Sequence, residues 1–417
     1  MNFIVLLCVN LGQLAVGYSI GWSAPVVQNM LNDGIIDMKQ MSWIGSSLYV
    51  GTMFGPYIAG YLSNRYGRRV AIMLSGSLMA ISYVITMFAY EILPLLIFAR
   101  IIGGFGASMI SLMNIVYGGE VASASNRGIV LTTTGIFHCL GILLVYIVGP
   151  FASYKVLNSV VLSVCAIHLV TCVYIPESPI FYLIKGREEE TIAILNALNR
   201  KKEAEELKSV LEKEKEDSNW EWKEFYTNKI NRRSLIIAMP AFFFQSFNGL
   251  LAIMLFTTTI YKIAGSSLEP SMATIVSGTT QFAGTLIVPL LIEKLGRKTL
   301  MILSLAGCGL SMFVMGIYFF LHNAGNEIIE SIRWLPLATM VVAIVSFSIG
   351  LNMIPNTLCS ELFCSNVRSA GSSITLTFNN LTAFFCVVSF GYLTESIGAH
   401  YVFIIYGIIN LLGIVYT

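Results

Sequence analysis

The sequence predicts an all-α membrane protein with twelve transmembrane helices in two six-helix halves. Three observations predict it. Of 417 residues, 56% are hydrophobic and only 12% charged, with a mean hydropathy of +0.75; a soluble protein of this length carries roughly twice that charged fraction. The apolar residues fall in long uncharged runs, each near the roughly 20 residues a helix needs to cross the hydrocarbon core. Charged motifs between the runs return in the second half of the chain at a nearly constant offset.

The runs read Phe3–Val27, Met41–Ser63, Val70–Tyr90, Ile92–Tyr117, Ile129–Phe151 and Val156–Ile175, then Leu235–Tyr261, Ser271–Ile292, Leu300–Leu321, Leu335–Leu358, Ala370–Leu393 and Ala399–Thr417. Only Arg100 places a charge inside one of them. The first run lacks a basic leader and is longer than a signal-peptide core, so it is read as helix one. No run alternates with the period of two that a transmembrane barrel strand requires. The division expected is an N-terminal half over 1–175, a cytoplasmic helical linker over 176–233 and a C-terminal half over 234–417. The counterpart of Pro176 in the second half would fall about 241 residues later, at the end of the sequence, which stops inside helix twelve at Thr417, so that helix is expected to be cut short.

Charge distribution orients the chain. Arg65, Arg68, Arg69, Arg127, Lys294, Arg297, Lys298, Arg368 and the linker's basic residues lie on one side of the predicted membrane and account for 20 of the 25 Lys and Arg. The other side holds Lys39, Arg100, Lys155, Lys262 and Arg333. The positive-inside rule makes the first side cytoplasmic, with the N-terminus and the linker. Within the linker, Arg187 to Glu190 and Lys201–Asp217 suit short solvated helices with Glu/Lys pairs. They read either as a solvated connector packed under the halves or as a partner surface.

Gly67 in Gly60-Tyr-Leu-Ser-Asn-Arg-Tyr-Gly-Arg-Arg69 is matched by Gly296 in Glu293-Lys-Leu-Gly-Arg-Lys298. Glu120 and Arg127 after helix four are matched by Glu361 and Arg368 after helix ten, with the same spacing of seven. Two halves related by an axis along the membrane normal produce such a parallel repeat. Glu120 and Glu361 lie within reach of arginines such as Arg65, Arg69 and Arg297, and a bidentate pair there would latch one half to the other. Ordinary interfacial topology charge is the plainer alternative.

Polar residues inside apolar spans are the binding candidates: Gln245, Ser246 and Asn248 in helix seven, Gln281 in helix eight, Asn356 in helix ten, Asn379 and Asn380 in helix eleven, His138 in helix five and Ser19 in helix one. A lone buried amide serves equally as interhelical glue worth about 0.6 kcal/mol. The eight cysteines follow no metal or disulfide spacing, and six of them (Cys8, Cys139, Cys165, Cys172, Cys308, Cys386) lie in apolar runs as small core residues. No phosphate-cradling loop, metal cluster or nucleophile elbow is present, so an enzyme is not expected, nor a cofactor or a nucleic-acid partner.

Four segments together carry a family resemblance: Asn64-Arg65-x-Gly67-Arg68-Arg69; Arg100-x3-Gly104-x-Gly106 followed by Tyr117-x2-Glu120-x6-Arg127; Pro176-Glu177-Ser178-Pro179 with Lys185-Gly186-Arg187; and Glu361-Leu-Phe-x4-Arg368. The chain resembles the sugar porters of the major facilitator superfamily over its whole length. With Ile397-Gly-Ala-His400 it looks most like the insect facilitated trehalose branch. The resemblance implies a major facilitator fold and facilitated movement of a sugar, trehalose or a hexose, by alternating access in the cell membrane. It also implies site positions. Gln245 matches the first helix-seven Gln, Ser246 stands for the second, and Phe256 stands where a gating Tyr is usual. Gln281 holds the helix-eight amide and Asn379 the helix-eleven Asn. Asn356 and Asn380 stand where Trp is usual, Gly135 where a helix-five Gln is, Ile115 where a Pro is and Ile180 where an Arg is. The proton-coupled members resemble Gly-Tyr-Asp-x-Gly in helix one; here the run is Gly17-Tyr-Ser19-Ile-Gly21. No acid lies inside any span, which leaves His138 and His168 as the only other proton carriers and favours uncoupled transport. The rewritten aromatic positions keep another small polar solute open, and a non-translocating sensor and a channel are further alternatives.

Overall fold

A computed structural model describes residues 3–122, 127–197, 229–352, 354, 355, 358, 362 and 368–417. Helices dominate these residues and none of them lies in a strand. In lipid no water satisfies a backbone N–H or C=O, so a spanning segment is forced into a helix that bonds itself.

The N-terminal half contains α1 (Phe3–Gly21), α2 (Ser23–Asn32), α3 (Met38–Tyr66), α4 (Arg68–Met87), α5 (Leu93–Val121), α6 (Arg127–Val148) and α7 (Tyr154–Cys172). The short helices α8 (Pro179–Ile184) and α9 (Glu188–Ala197) follow. The C-terminal half contains α10 (Lys229–Phe247), α11 (Leu250–Leu255), α12 (Thr257–Ile263), α13 (Pro270–Leu295), α14 (Arg297–Asn323), α15 (Ile328–Ser331), α16 (Leu335–Ile349), α17 (Arg368–Ile397) and α18 (Ala399–Tyr416). Span one is therefore α1 with α2, span seven is α10 to α12, and span ten begins with α16. Seven stretches, among them α5, α14 and α17, are by themselves long and apolar enough to cross a bilayer. The other spans reach that length in pieces or with more Ser, Thr and Gly.

Three boundaries depart from the expectation. Span one runs on to Asn32 and bends at Trp22. Span seven, read as one run over Leu235–Tyr261, is broken at Asn248–Gly249 and again at Phe256. Span ten, read over Leu335–Leu358, leaves the helix at Gly350. The apolar run continues through each break, so hydropathy alone does not mark it. The linker segment Lys201–Asp217 lies outside the described residues.

The packing repeats with the sequence. Spans one and five, two and four, three and four, and three and six pack as α1–α6, α3–α5, α4–α5 and α4–α7. Their counterparts pack as α10–α17, α13–α16, α14–α16 and α14–α18. The halves meet through α3–α17 and α6–α13, a pair of contacts that the same two-fold relation exchanges. Close approach needs glycine: a Cβ on Gly51 would sit 2.0 Å from the Ile101 carbonyl oxygen, and one on Gly104 2.0 Å from that of Leu48. Large apolar side chains such as Phe98, Leu310 and Leu412 stand exposed on the outer surface, as a chain solvated by lipid requires.

At the face that carries α8 and α9, here the linker face, Gly67 ends α3 and starts α4 with φ 107° and ψ 160°. That region is essentially restricted to glycine. The Glu177 carboxylate sits on the N-terminus of α4, accepting Arg68 N–H at 2.8 Å and Arg69 N–H at 3.2 Å. An anion is favoured there by the helix dipole and the unpaired N–H groups. A Cβ on Gly67 would lie 2.4 Å from Glu177 Oε2. Gly296 has the same role between α13 and α14 (φ 75°, ψ 153°), but a Cβ there meets nothing within 4 Å among the described residues. Gly296→Ala is thus expected to cost backbone strain alone, about 1–3 kcal/mol, while Gly67→Ala adds loss of the carboxylate cap. Thermal unfolding of the purified variants should rank wild type above Gly296→Ala above Gly67→Ala; equal losses contradict the cap.

Candidate substrate pathway

Polar side chains gather in two groups within the bundle, one in each half. In the C-terminal half the group is built on the helix breaks. Gly249, at φ 93°, starts α11, and Asn248 fills the gap by accepting Leu250 N–H on Oδ1 at 2.7 Å. The Asn248 carbonyl accepts from Asn410 Nδ2 at 3.0 Å, so α18 closes the break from behind. Span ten breaks against the same helix end: Gln245 Nε2 donates to the Leu351 carbonyl at 2.8 Å and the Asn352 carbonyl at 3.3 Å, and Ser304 Oγ accepts Leu351 N–H at 3.1 Å. Gln245 Oε1 is buried and finds no donor among the described residues. Ser246 Oγ donates to Asn379 Oδ1 at 2.9 Å and accepts from the Thr382 hydroxyl at 3.0 Å. Gln245, Ser246 and Asn379 are thereby brought to one helix end, with Thr382 as a member that sequence reasoning missed.

The second group joins α1, α5 and α6. Gln13 Nε2 donates to His138 Nδ1 at 3.3 Å, and Gln13 Oε1 accepts from Ser111 Oγ and Asn114 Nδ2, each at 3.4 Å. Because an amide nitrogen only donates, His138 accepts on Nδ1 and carries its proton on Nε2. Asn114 Oδ1 is buried without a donor among the described residues. Gln13 and Asn114 are amides inside apolar runs like the other candidates, and sequence reasoning missed both. Gln281 is partly buried on α13. Its carbonyl accepts the Thr285 hydroxyl at 3.0 Å, and Thr285 Oγ1 meets Cys139 Sγ across the halves at 3.0 Å. Asn380 Nδ2 donates to the Thr52 carbonyl of the opposite half at 3.3 Å. Asn356 lies outside the described residues.

Arg100 is 3% exposed, and among the described residues none of its partners is a carboxylate. Nη1 donates to the Ser19 carbonyl at 2.8 Å and to Ser19 Oγ at 3.3 Å, Nη2 donates to Ser23 Oγ at 3.1 Å, and the guanidinium lies 5.0 Å over the Trp22 ring. Ser19 thus faces Arg100 where the resemblance places an acid in proton-coupled members.

The charged motifs are arranged differently from the expectation. Glu120 pairs with Arg68, not with Arg65 or Arg69: Arg68 Nη2 to Oε1 is 2.9 Å and Nε to Oε2 is 3.0 Å, with the side chains 5% and 12% exposed. The pair joins α4 to α5 inside one half, so it braces that half and does not latch it to the other. The reason is the start of α4, which turns Arg68 inward beneath α5. Arg65 bonds the Tyr61 hydroxyl and lies beside the Tyr66 ring, and Arg69 donates to the Val173 carbonyl. Arg297 is exposed at the start of α14. Arg127, Glu293 and Arg368 lie in helices, but their side chains, like all of Glu361, are outside what the structure describes.

Among the described residues, several contacts join the halves at the far face, opposite α8 and α9. Lys39 Nζ lies 3.0 Å from Glu395 Oε1, Trp43 Nε1 donates to the Tyr392 hydroxyl at 3.1 Å, and Lys262 donates to Asn32 Oδ1. Phe256, in the break between α11 and α12, is buried and stacks on Phe390 with ring centroids 5.5 Å apart. Its ring edge fills the space beside Gly45 of α3.

Known proteins agree with this architecture. The chain is 27% identical over 420 residues to a facilitated trehalose transporter of Polypedilum vanderplanki, covering 99% of this chain and 83% of that one. It is 28% identical over 420 residues to that of Culex quinquefasciatus, covering 99% and 81%. The fold superposes on the inward-open conformation of the xylose transporter XylE from E. coli with a TM-score of 0.83 at 20% identity, covering 99% and 95%. The profile of the family described as sugar (and other) transporter matches residues 5–417, and the chain belongs to that family.

Proposed function

We propose that the chain is a facilitative sugar transporter of the cell membrane that carries trehalose or a hexose by alternating access. The observation that carries the reading is Gln245: it ties together the ends of two broken helices and holds a buried acceptor without a donor. Interrupted helices at mid-membrane supply substrate sites because their end groups are aimed inward. Ser246, Gln281, Asn356 and Asn379 from the C-terminal half, and His138 with Gln13 and Asn114 from the other, are the groups offered to sugar hydroxyls. The names of the similar trehalose and xylose transporters support a sugar as cargo. The Asn residues at 356 and 380 favour, as the second reading, another small polar solute.

Orientation follows from the basic residues. The linker face is cytoplasmic, with the N-terminus, and the far face is extracellular. The halves over 1–175 and 234–417, joined by the linker over 176–233, rock about the contacts of α3 with α17 and α6 with α13. Phe256 and the Lys262–Asn32 contact gate the extracellular side. Arg65, Arg69, Arg127, Glu293, Arg297, Glu361 and Arg368 remain the candidates for the cytoplasmic closure. Without an acid beside Arg100, no carboxylate there takes up and releases a proton during the cycle.

Two measurements test this. Uptake of labelled trehalose by expressing cells should equilibrate without accumulation and persist when an uncoupler collapses the proton gradient; accumulation that vanishes with the gradient contradicts the uncoupled reading. Gln245→Ala removes an amide whose bond to a sugar hydroxyl is worth roughly 0.5–1.5 kcal/mol, more if a group is stranded. Apparent affinity should fall about threefold to thirtyfold at unchanged surface expression; unchanged uptake makes Gln245 packing glue.

A further inference from the structure

The outer piece of span seven, α12, is held in two ways. Within its own half, hydroxyl pairs tie it to α13: Thr258 Oγ1 lies 3.0 Å from Thr274 Oγ1, and the Tyr261 hydroxyl 2.7 Å from Ser277 Oγ. Across the seam, the break that precedes α12 meets α6. There the Tyr146 hydroxyl donates to the Met254 carbonyl at 2.8 Å, with Tyr146 buried. In an unbroken helix the carbonyls of Ile253 and Met254 would accept from the N–H groups of Thr257 and Thr258. Here hydroxyls cover them. Thr257 Oγ1 donates to Ile253 at 2.7 Å and to Met254 at 3.1 Å from within the same half, and Tyr146 reaches Met254 from the other.

The surroundings fit that tyrosine. A Cβ on Gly278 of α13 would lie 2.7 Å from Tyr146 Cδ2, so the glycine makes room for the ring. Phe256, in the break itself, brings no hydroxyl. Its ring tip lies against α3, where a Cβ on Gly45 would come within 2.9 Å of Cζ.

A bond inside one half persists through a rigid-body movement and biases neither state. A bond across the seam exists only in the state that makes it. The hydroxyl pairs keep α12 with α13 when the halves part, so opening the far face takes the Met254 carbonyl away from Tyr146.

We infer that Tyr146 is a positioning residue of the transport cycle: its hydroxyl holds the broken span seven shut against the N-terminal half and sets how often the far face opens. The inference rests on the alternating access proposed above and is independent of the cargo. Water replaces the bond once the face is open, so one such bond shifts the balance by about twofold to tenfold.

The test uses the full chain, purified and reconstituted in liposomes. Spin labels at Phe151 and Ile263, exposed on opposite halves, report the seam; labels at Ile263 and Ile328, both in the C-terminal half, report α12 within its own half. Tyr146→Phe keeps the ring beside Gly278 and removes only the hydroxyl. Two distances are expected between Phe151 and Ile263, and Tyr146→Phe should move their ratio about twofold to tenfold toward the longer one. The distance between Ile263 and Ile328 should not change. Thr257→Val takes a hydroxyl from the same carbonyl without touching the seam, and should not add to the longer distance. An equal shift with Thr257→Val, or a changed distance between Ile263 and Ile328, overturns the inference and makes the Tyr146 hydroxyl a local cap of the break. Two distances whose ratio Tyr146→Phe leaves alone overturn it while keeping alternating access. A single distance between Phe151 and Ile263 in every variant removes alternating access, and the role of Tyr146 with it.

Discussion

Everything in this bundle is arranged around one constraint: a backbone amide inside the hydrocarbon must be bonded by protein. Unbroken helices meet it by themselves. Where spans seven and ten leave the helix, other side chains take over. Asn248 bonds the N–H of Leu250, Asn410 reaches the Asn248 carbonyl from α18, Ser304 receives the N–H of Leu351, and Gln245 donates to the carbonyls that follow. The breaks are tolerated because they are enclosed, and being enclosed they put polar groups where a neutral, hydroxyl-rich solute can meet them. On the proposed reading, structure and substrate recognition draw on the same residues.

The two faces use their charge differently. At the linker face Arg68, Glu120 and Glu177 bind α4, α5 and the start of the linker into one unit. Removing one member of a buried pair strands the other at roughly 3–5 kcal/mol, so this half is stiff. At the far face the halves meet through the Lys39–Glu395 pair, about half exposed on both sides, together with buried Phe256 beside Gly45 and the Tyr146 hydroxyl on the Met254 carbonyl. A half braced in this way suits rigid-body rocking. The arrangement resembles a hinge held along α3–α17 and α6–α13, with closure at either end decided by a few contacts.

Much of the architecture was legible because lipid simplifies the code. Length and the absence of charge located the spans, and the matched Gly67 and Gly296 turned out to be matched in backbone as well. The breaks were not legible: Gly249 and Gly350 interrupt apolar runs whose hydropathy does not change. The choice among Arg65, Arg68 and Arg69 depended on where α4 begins, a matter of one residue that spacing does not resolve. Glu177 was visible only as part of a family signature, and its capping of α4 supplies the physical reason for that signature. In the site, the amides at Gln245 and Asn379 were found by type, whereas Gln13 and Asn114 needed the crossing of three helices to bring them to His138.

The central claim is that the halves move as rigid bodies about this seam, opening and closing the far face. The direct measurement is the distance between spin labels at Phe151 and Leu268, which are 75% and 42% exposed on opposite halves of that face. The account predicts two populations of distance, with Lys262→Ala moving weight to the longer one. A single distance that Lys262→Ala leaves unchanged would contradict it.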